Sequence, residues 1–299
     1  MKKISNTLKE KIFILEKKLK ERDLLLKKYK KALMDSNKRI TNISQKLEDS
    51  LSIIHDINKN LVPVRLPSIS GFELSHKFLS ANKGVSGDFF DIIFIKNTMK
   101  FGIILSSCNT YSLTSLFLSS FLKSADNIHK CKTSKDFVSL VEKKMKIKSY
   151  DKTEKINLFY GVISRSSLYM DYCLVGDIFV SHKRDGENFN TLRPCVTNLL
   201  HKKATTPFQN GKLILEPKDT LLVCSPGIIY RKNKTGENFG HKNIIISANK
   251  KKSSSVLKMR QNILFDCNEF GKNQINKRDS TILVIKVMDS ILKLKKSFN

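Results

Sequence analysis

The chain has 299 residues, enough for one large domain or two ordinary ones, and an apolar content of 40% that supports a real core. It carries 55 Lys+Arg against 27 Asp+Glu, a formal net charge of +28, which suggests an anionic partner such as nucleic acid or a membrane surface. The basic residues are spread along the whole chain, however, and abundant Lys, Ile, Asn and Ser without Trp is the profile of AT-rich coding, so nucleic-acid binding as the main role is not expected.

The first sixty residues form a heptad array. With Ile12 at position a, that series continues through Leu19, Leu26, Leu33, Ile40, Leu47, Ile54 and Leu61, all Leu or Ile. The d series is Leu8, Leu15, Arg22, Tyr29, Ser36, Ile43, Ser50 and Ile57, apolar at its ends and polar in the middle. Repetition over this many heptads predicts a coiled coil. A helix rising about 1.5 Å per residue cannot bury so long a stripe on one small domain. The seam (Ile12, Leu15, Leu19, Leu26, Leu33, Ile40, Ile43, Leu47, Ile54) therefore needs a partner helix, and a second copy, giving a homodimer, is the simplest. A long solvated helix is the competing reading. The basic start leads into a charged amphipathic stretch with no apolar core, so no signal peptide is expected.

Pro63 and Pro67 end the helix. Beyond them, alternation and turn residues predict strands over 72–79, 89–95, 101–106, 158–164, 168–175, 178–183, 212–216, 220–224 and 281–287. Helices are predicted over 112–124, 134–147 and 254–265. Asp185-Gly186, Asn210-Gly211, Pro217-Lys218-Asp219 and Thr235-Gly236 mark turns. Residues 101–122 carry no charge and are long enough to span a bilayer. Their serines and Asn109 favour a buried strand, a turn and a buried helix, so no membrane span is expected. The six cysteines (Cys108, Cys131, Cys173, Cys195, Cys224, Cys267) show no CxxC and no Cys/His cluster at zinc spacing. They read as reduced, mostly buried thiols in a cytoplasmic protein.

The most informative residues are Gly84-Val85-Ser86-Gly87-Asp88-Phe89-Phe90-Asp91, set between the Pro63/Pro67 lead-in and an apolar run from Ile92 to Ile95. Four further stretches stand in order with them: Gly71-Phe72-Glu73-Leu74, Leu215 to Leu222, Gly236-Glu237-Asn238-Phe239-Gly240, and Arg278-Asp279-Ser280-Thr281-Ile282-Leu283-Val284. Together they resemble the SpoIIE-type (RsbU-like) branch of the PPM metal-dependent serine/threonine protein phosphatases. That resemblance implies an α+β fold, a two-sheet antiparallel β-sandwich flanked by helices, over residues 63–290. The coiled coil of residues 1–62 would precede it, and a basic tail of residues 291–299 would follow.

The resemblance also implies a centre in which aspartates hold two Mn or Mg ions and activate a bridging water. Carried over motif by motif, Asp88 of Gly87-Asp88 is the one surviving ligand, with Asp91 beside it. The family's bridging aspartate falls on Ser107, and two motif glycines become Thr110 and Ser112. The third motif's aspartate falls on Pro226, before Gly227. The first aspartate of the closing pair falls on Arg278, and Asp279 matches the second. A one-residue shift rescues nothing, because no Asp or Glu occurs over 100–122 or 221–233. Asp126, Asp177 and Asp219 stand at spacings that do not point to the centre. With no metal to neutralise it, a buried Asp88 is costly. Arg278 is expected either to pair with it or to leave it capping the local turn.

These residues imply a catalytically impaired pseudophosphatase in bacterial signalling that works by binding a protein partner of anti-sigma-antagonist or other phosphoprotein type, with no cofactor. An active phosphatase with altered ligands would use two Mn or Mg ions. A basic coiled-coil protein on nucleic acid or a membrane surface is the third reading.

Overall fold

The computed structural model describes residues 2–81, 87–108, 113–123, 131–146, 155–200, 208–250 and 255–289, with backbone alone at 2–10, 51, 54, 55, 58, 59 and 113–115. Gly84 to Ser86, Asn109 to Ser112, Asp126, the tail 291–299 and the side chain of Ile54 lie outside the described residues. The chain divides into two units, Met1–Ile53 and Ile54–Asn299.

The first unit is helical and lies within α1, which runs Lys2–Leu61. The seam residues Ile12, Leu15, Leu19, Leu26, Leu33, Ile40, Ile43 and Leu47 are 49% to 66% exposed. The helix thus carries its apolar stripe uncovered.

The second unit contains two five-stranded antiparallel sheets, as the resemblance implies. In the first, β1 (Phe72–Leu79) pairs with β10 (Ser280–Val287), then come β9 (Thr220–Cys224), β6 (Phe179–Lys183) and β7 (Asn190–Thr191). In the second, β2 (Gly87–Ile95) is followed by β3 (Lys100–Cys108), β4 (Ile156–Ser164), β5 (Tyr169–Val175) and β8 (Gly211–Ile214).

Side-chain alternation assigns each strand residue to a layer. Phe101, Ile103 and Leu105 of β3 and Leu283, Ile285 and Val287 of β10 share one buried cluster that also holds Phe90, Phe159, Val180 and Val223. Ile104, Leu158 and Tyr160 point to the opposite face of their sheet. There they meet α2 (Leu113–Lys123) and α3 (Ser134–Lys146) through Leu118, Leu122, Phe137 and Val141. Leu222, Ile282 and Val284 point out of the other sheet, toward α5 (Gly240–Ala248) and α6 (Val256–Phe270) through Ile244, Met259 and Ile263. Because both faces of each sheet are covered, the central strands read as nearly unbroken apolar runs, as in TILVI and TLLVC. The uncharged stretch 101–122 resolves into β3 and α2, and no described helix is long and apolar enough to cross a membrane.

Three elements escaped the pattern: β7, α5 and the single turn α4 (Pro226–Ile229). α5 opens on Phe239 with no side-chain cap and has no acidic residue in its first turn. Its Ile244-Ile245-Ile246 run is β-branched, which weakens the helical signal. Packing of Ile244 and Ala248 on α6 supplies what local propensity lacks.

Phe101 is fully buried and meets Phe72 edge-on at 5.0 Å between ring centroids, tying the two sheets together. Phe101→Ala is expected to lower stability by about 3–5 kcal/mol in urea unfolding.

Candidate functional site

The strand register brings the motif positions together. Asp88 on β2 lies directly across from Ser107 on β3, so two of the positions that the resemblance implies for the centre face each other. On the other sheet, Ile282 of β10 pairs with Cys224 of β9. This sets Arg278-Asp279, just before β10, beside Ser225-Pro226-Gly227, just after β9. Ser225 N donates to Thr281 O, and Thr281 N to Ser225 Oγ, both at 2.9 Å.

Asp279 clasps the two halves of this region. Its Oδ1 accepts from Ala81 N at 2.9 Å and its Oδ2 from Asp88 N at 3.3 Å. Gly227 packs against the same turn: a Cβ there would stand 1.8 Å from Asp279 O, closer than any real contact. Asp88 itself is 2% exposed. Its Oδ2 accepts from the Thr281 hydroxyl at 2.8 Å, and its Oδ1 is buried without a hydrogen bond. Burial first, and then the nearby Asp279 carboxylate, push the Asp88 carboxyl up to about 7. The hydroxyls of Ser107, Ser225 and Thr281 pull the other way without prevailing.

Arg278 does not pair with Asp88. It is exposed, and its guanidinium carbon lies 5.3 Å from the centroid of the Tyr230 ring, a cation–π arrangement. The Tyr230 hydroxyl donates to Asp177 at 2.9 Å. Facing a ring at the surface leaves a guanidinium partly hydrated, whereas entering the Asp88 pocket would strip its water. Nor does Asp88 cap the turn, since Asp279 accepts the local amides. Residue order points to Asp279 but not to this role. The Thr281 hydroxyl and Ser225 were missed; Ser before Pro-Gly was the one available signal.

The other carboxylates are committed elsewhere. Asp91 accepts from Lys123 Nζ at 2.7 Å and from Ile92 N at 2.9 Å. Asp219 is buried and holds His182 Nε2 at 2.7 Å and Glu216 N at 2.9 Å. Asp177 pairs with Lys155, and its amide donates to Asn157 Oδ1, whose own amide donates to Ser107 O.

Beside the centre opens a cleft of about 450 Å³. Gly227, Tyr230, Arg231, Lys232, Lys277 and Arg278 are among the residues lining it, and among the described residues no acidic side chain does. Arg231 is held by its Nη2, which donates to Gly271 O at 2.8 Å and Gln274 O at 3.0 Å.

A sequence model of the Stage II sporulation protein E (SpoIIE) family matches residues 104–288. The chain belongs to that family. Solved structures share its fold. The SiaA PP2C domain of Pseudomonas aeruginosa aligns with a TM-score of 0.64 at 14% identity, over 81% of this chain and 96% of that one. The PP2C phosphatase domain of SpoIIE from Bacillus subtilis, with a fragment of its regulatory domain, gives 0.57 at 17% identity over 73% and 64%. RsbX in complex with magnesium gives 0.53 at 11% identity over 75% and 98%. A search of curated proteins finds no match.

The SpoIIE fold belongs to metal-dependent phosphatases, and a pair of divalent cations needs several hard carboxylate oxygens aimed at one point. Of the four motif positions, only Asp88 is acidic here. Both Asp279 oxygens accept backbone amides, Ser107 and Pro226 bring no charge, and Arg278 brings the wrong one. Among the described residues no group of three or more His, Cys, Asp or Glu is placed to hold an ion. This donor set does not fit a two-metal centre.

Two expectations follow. The carboxyl of Asp88 is raised from 3.8 in the ordinary state to about 7 in the fold. Its contribution to stability is therefore full below pH 3.8 and is lost as pH rises to about 7. Asp88→Asn keeps the neutral form, so at pH 8 it is expected to be more stable than the parent by on the order of 2–4 kcal/mol, and near pH 4 almost equal to it, in urea unfolding at the two pH values. Gly227→Ala forces the 226–229 turn away from Asp279 and is expected to cost about 2 kcal/mol or more by the same measurement.

Proposed function

We propose that this SpoIIE-family chain is a pseudophosphatase that binds a phosphorylated protein without hydrolysing it. The observation that carries the reading is that, of the four positions the resemblance puts at the centre, Asp88 alone is acidic. A pair of divalent cations needs several carboxylates at one point, and among the described residues no group of three or more His, Cys, Asp or Glu is placed to hold an ion. The cleft beside it supports the binding role. Arg231, Lys232, Lys277 and Arg278 on its walls match the charge of phosphoserine or phosphothreonine, and Arg278 is oriented by Tyr230. The partner class is a phosphoprotein of the anti-sigma-antagonist type in cytoplasmic bacterial signalling.

The uncovered stripe of α1 supports homodimerisation through a coiled coil over residues 1–62, with the phosphatase-like domain over 63–290. Polar Arg22, Ser36 and Ser50 at d positions would fix the register.

Calorimetric titration with Mn and an assay on p-nitrophenyl phosphate test the loss of catalysis. The expected result is no tight Mn binding and no hydrolysis above that of Asp88→Ala. Tight binding with hydrolysis abolished by Asp88→Ala would establish an active enzyme with altered ligands instead. A serine-phosphorylated peptide is expected to bind at least about tenfold more tightly than its unphosphorylated form, with that preference lost in Arg278→Ala/Lys277→Ala. Equal affinity for both forms, falling steeply with salt, would mark non-specific attraction by the net charge.

A further inference from the structure

Cys173 sits on β5, and Cys195 on the segment that follows β7. That segment runs beside the end of β5. Cys195 N donates to Leu174 O at 2.9 Å, Gly176 N to Val196 O at 2.8 Å, and Val175 bridges Val196 in parallel register. The backbone pairing holds the two sulfurs 3.9 Å apart. Cys173 is fully buried and Cys195 only partly, so Cys195 is the more exposed of the two. Neither belongs to the phosphatase motifs.

We propose that Cys173 and Cys195 are an oxidative modification site, closed to a reversible disulfide by a hydroperoxide such as H₂O₂. The Cys195 sulfur attacks the peroxide, its S–O bond forms as the O–O bond breaks, and one water leaves. The Cys173 sulfur then attacks Cys195, the S–S bond forms as the S–O bond breaks, and the Cys173 proton departs with the hydroxide as a second water. Two thiols lose two electrons and the peroxide gains them. The polarity of the pair suits this order. The neighbouring Cys173 thiol lowers Cys195 to about 6, whereas Cys173 is raised by its contact with Cys195 and by burial.

The bond would tie the 192–199 segment to β5, next to Gly176-Asp177. Asp177 holds the Tyr230 hydroxyl, and Tyr230 lies under Arg278. Oxidation therefore stiffens the support of one wall of the basic cleft.

The test uses the full chain, reduced and then treated with a slight excess of H₂O₂ at pH 7. Intact mass is expected to fall by about two units, the mass of two hydrogen atoms. A digest is expected to show a peptide joining Cys173 to Cys195 that dithiothreitol separates. The oxidised form is expected to melt a few degrees higher, as a cross-link that shortens the unfolded chain should. In Cys173→Ser, dimedone is expected to trap a sulfenic acid on Cys195. In Cys195→Ser, which alters the more exposed partner and should fold if Cys173→Ser does not, the cross-link is expected to vanish. A cross-link between other cysteines, oxygen addition without cross-linking, or no reaction of Cys195 would each overturn the proposal.

Discussion

The Asp279 carboxylate is the interaction on which the site region rests. It stands just before β10 and accepts the amides of Ala81 and Asp88, which belong to the chain leading into and through β2. One side chain thus joins the start of β10 in one sheet to the edge strand β2 of the other, at the end of the sandwich where the motifs meet. Backbone donors in such a place must find acceptors, because an unpaired buried amide costs as much as a lost hydrogen bond. Asp279 meets that need with both oxygens. It is therefore structural while its predecessor, Arg278, is free to turn outward.

That division of labour explains how the centre holds its shape. Asp88, Ser107, Ser225 and Thr281 remain close because of β2–β3 pairing and the reciprocal hydrogen bonds of Ser225 and Thr281, none of which involves a cation. The carboxyl of Asp88 sits in this frame with a hydroxyl donor on one oxygen. Burial, and then proximity to Asp279, raise that carboxyl above its ordinary value.

Much of this was legible in the residues. Alternation placed nine of the ten strands, because a strand covered on both faces must be apolar and bounded by turns. The motif resemblance singled out Asp88, Ser107, Pro226 and Arg278, and the register sets Asp88 opposite Ser107. What the residues hid were choices made by tertiary contacts. Arg278 had two possible partners of opposite kinds, a buried carboxylate and a surface ring, and the cost of dehydration decided between them. α5 carries a β-branched run that no local rule assigns to a helix, and only packing against α6 makes it one. The approach of Cys195 to Cys173 depends on pairing between segments 22 residues apart, which spacing alone does not reveal.

The close approach at Gly227 has a bearing beyond its turn. A position where backbone touches backbone admits no side chain, whereas Arg278, next to Asp279, is exposed. The main-chain contact between Gly227 and Asp279 is thus made without the side chain of residue 278, which can vary while that contact stays.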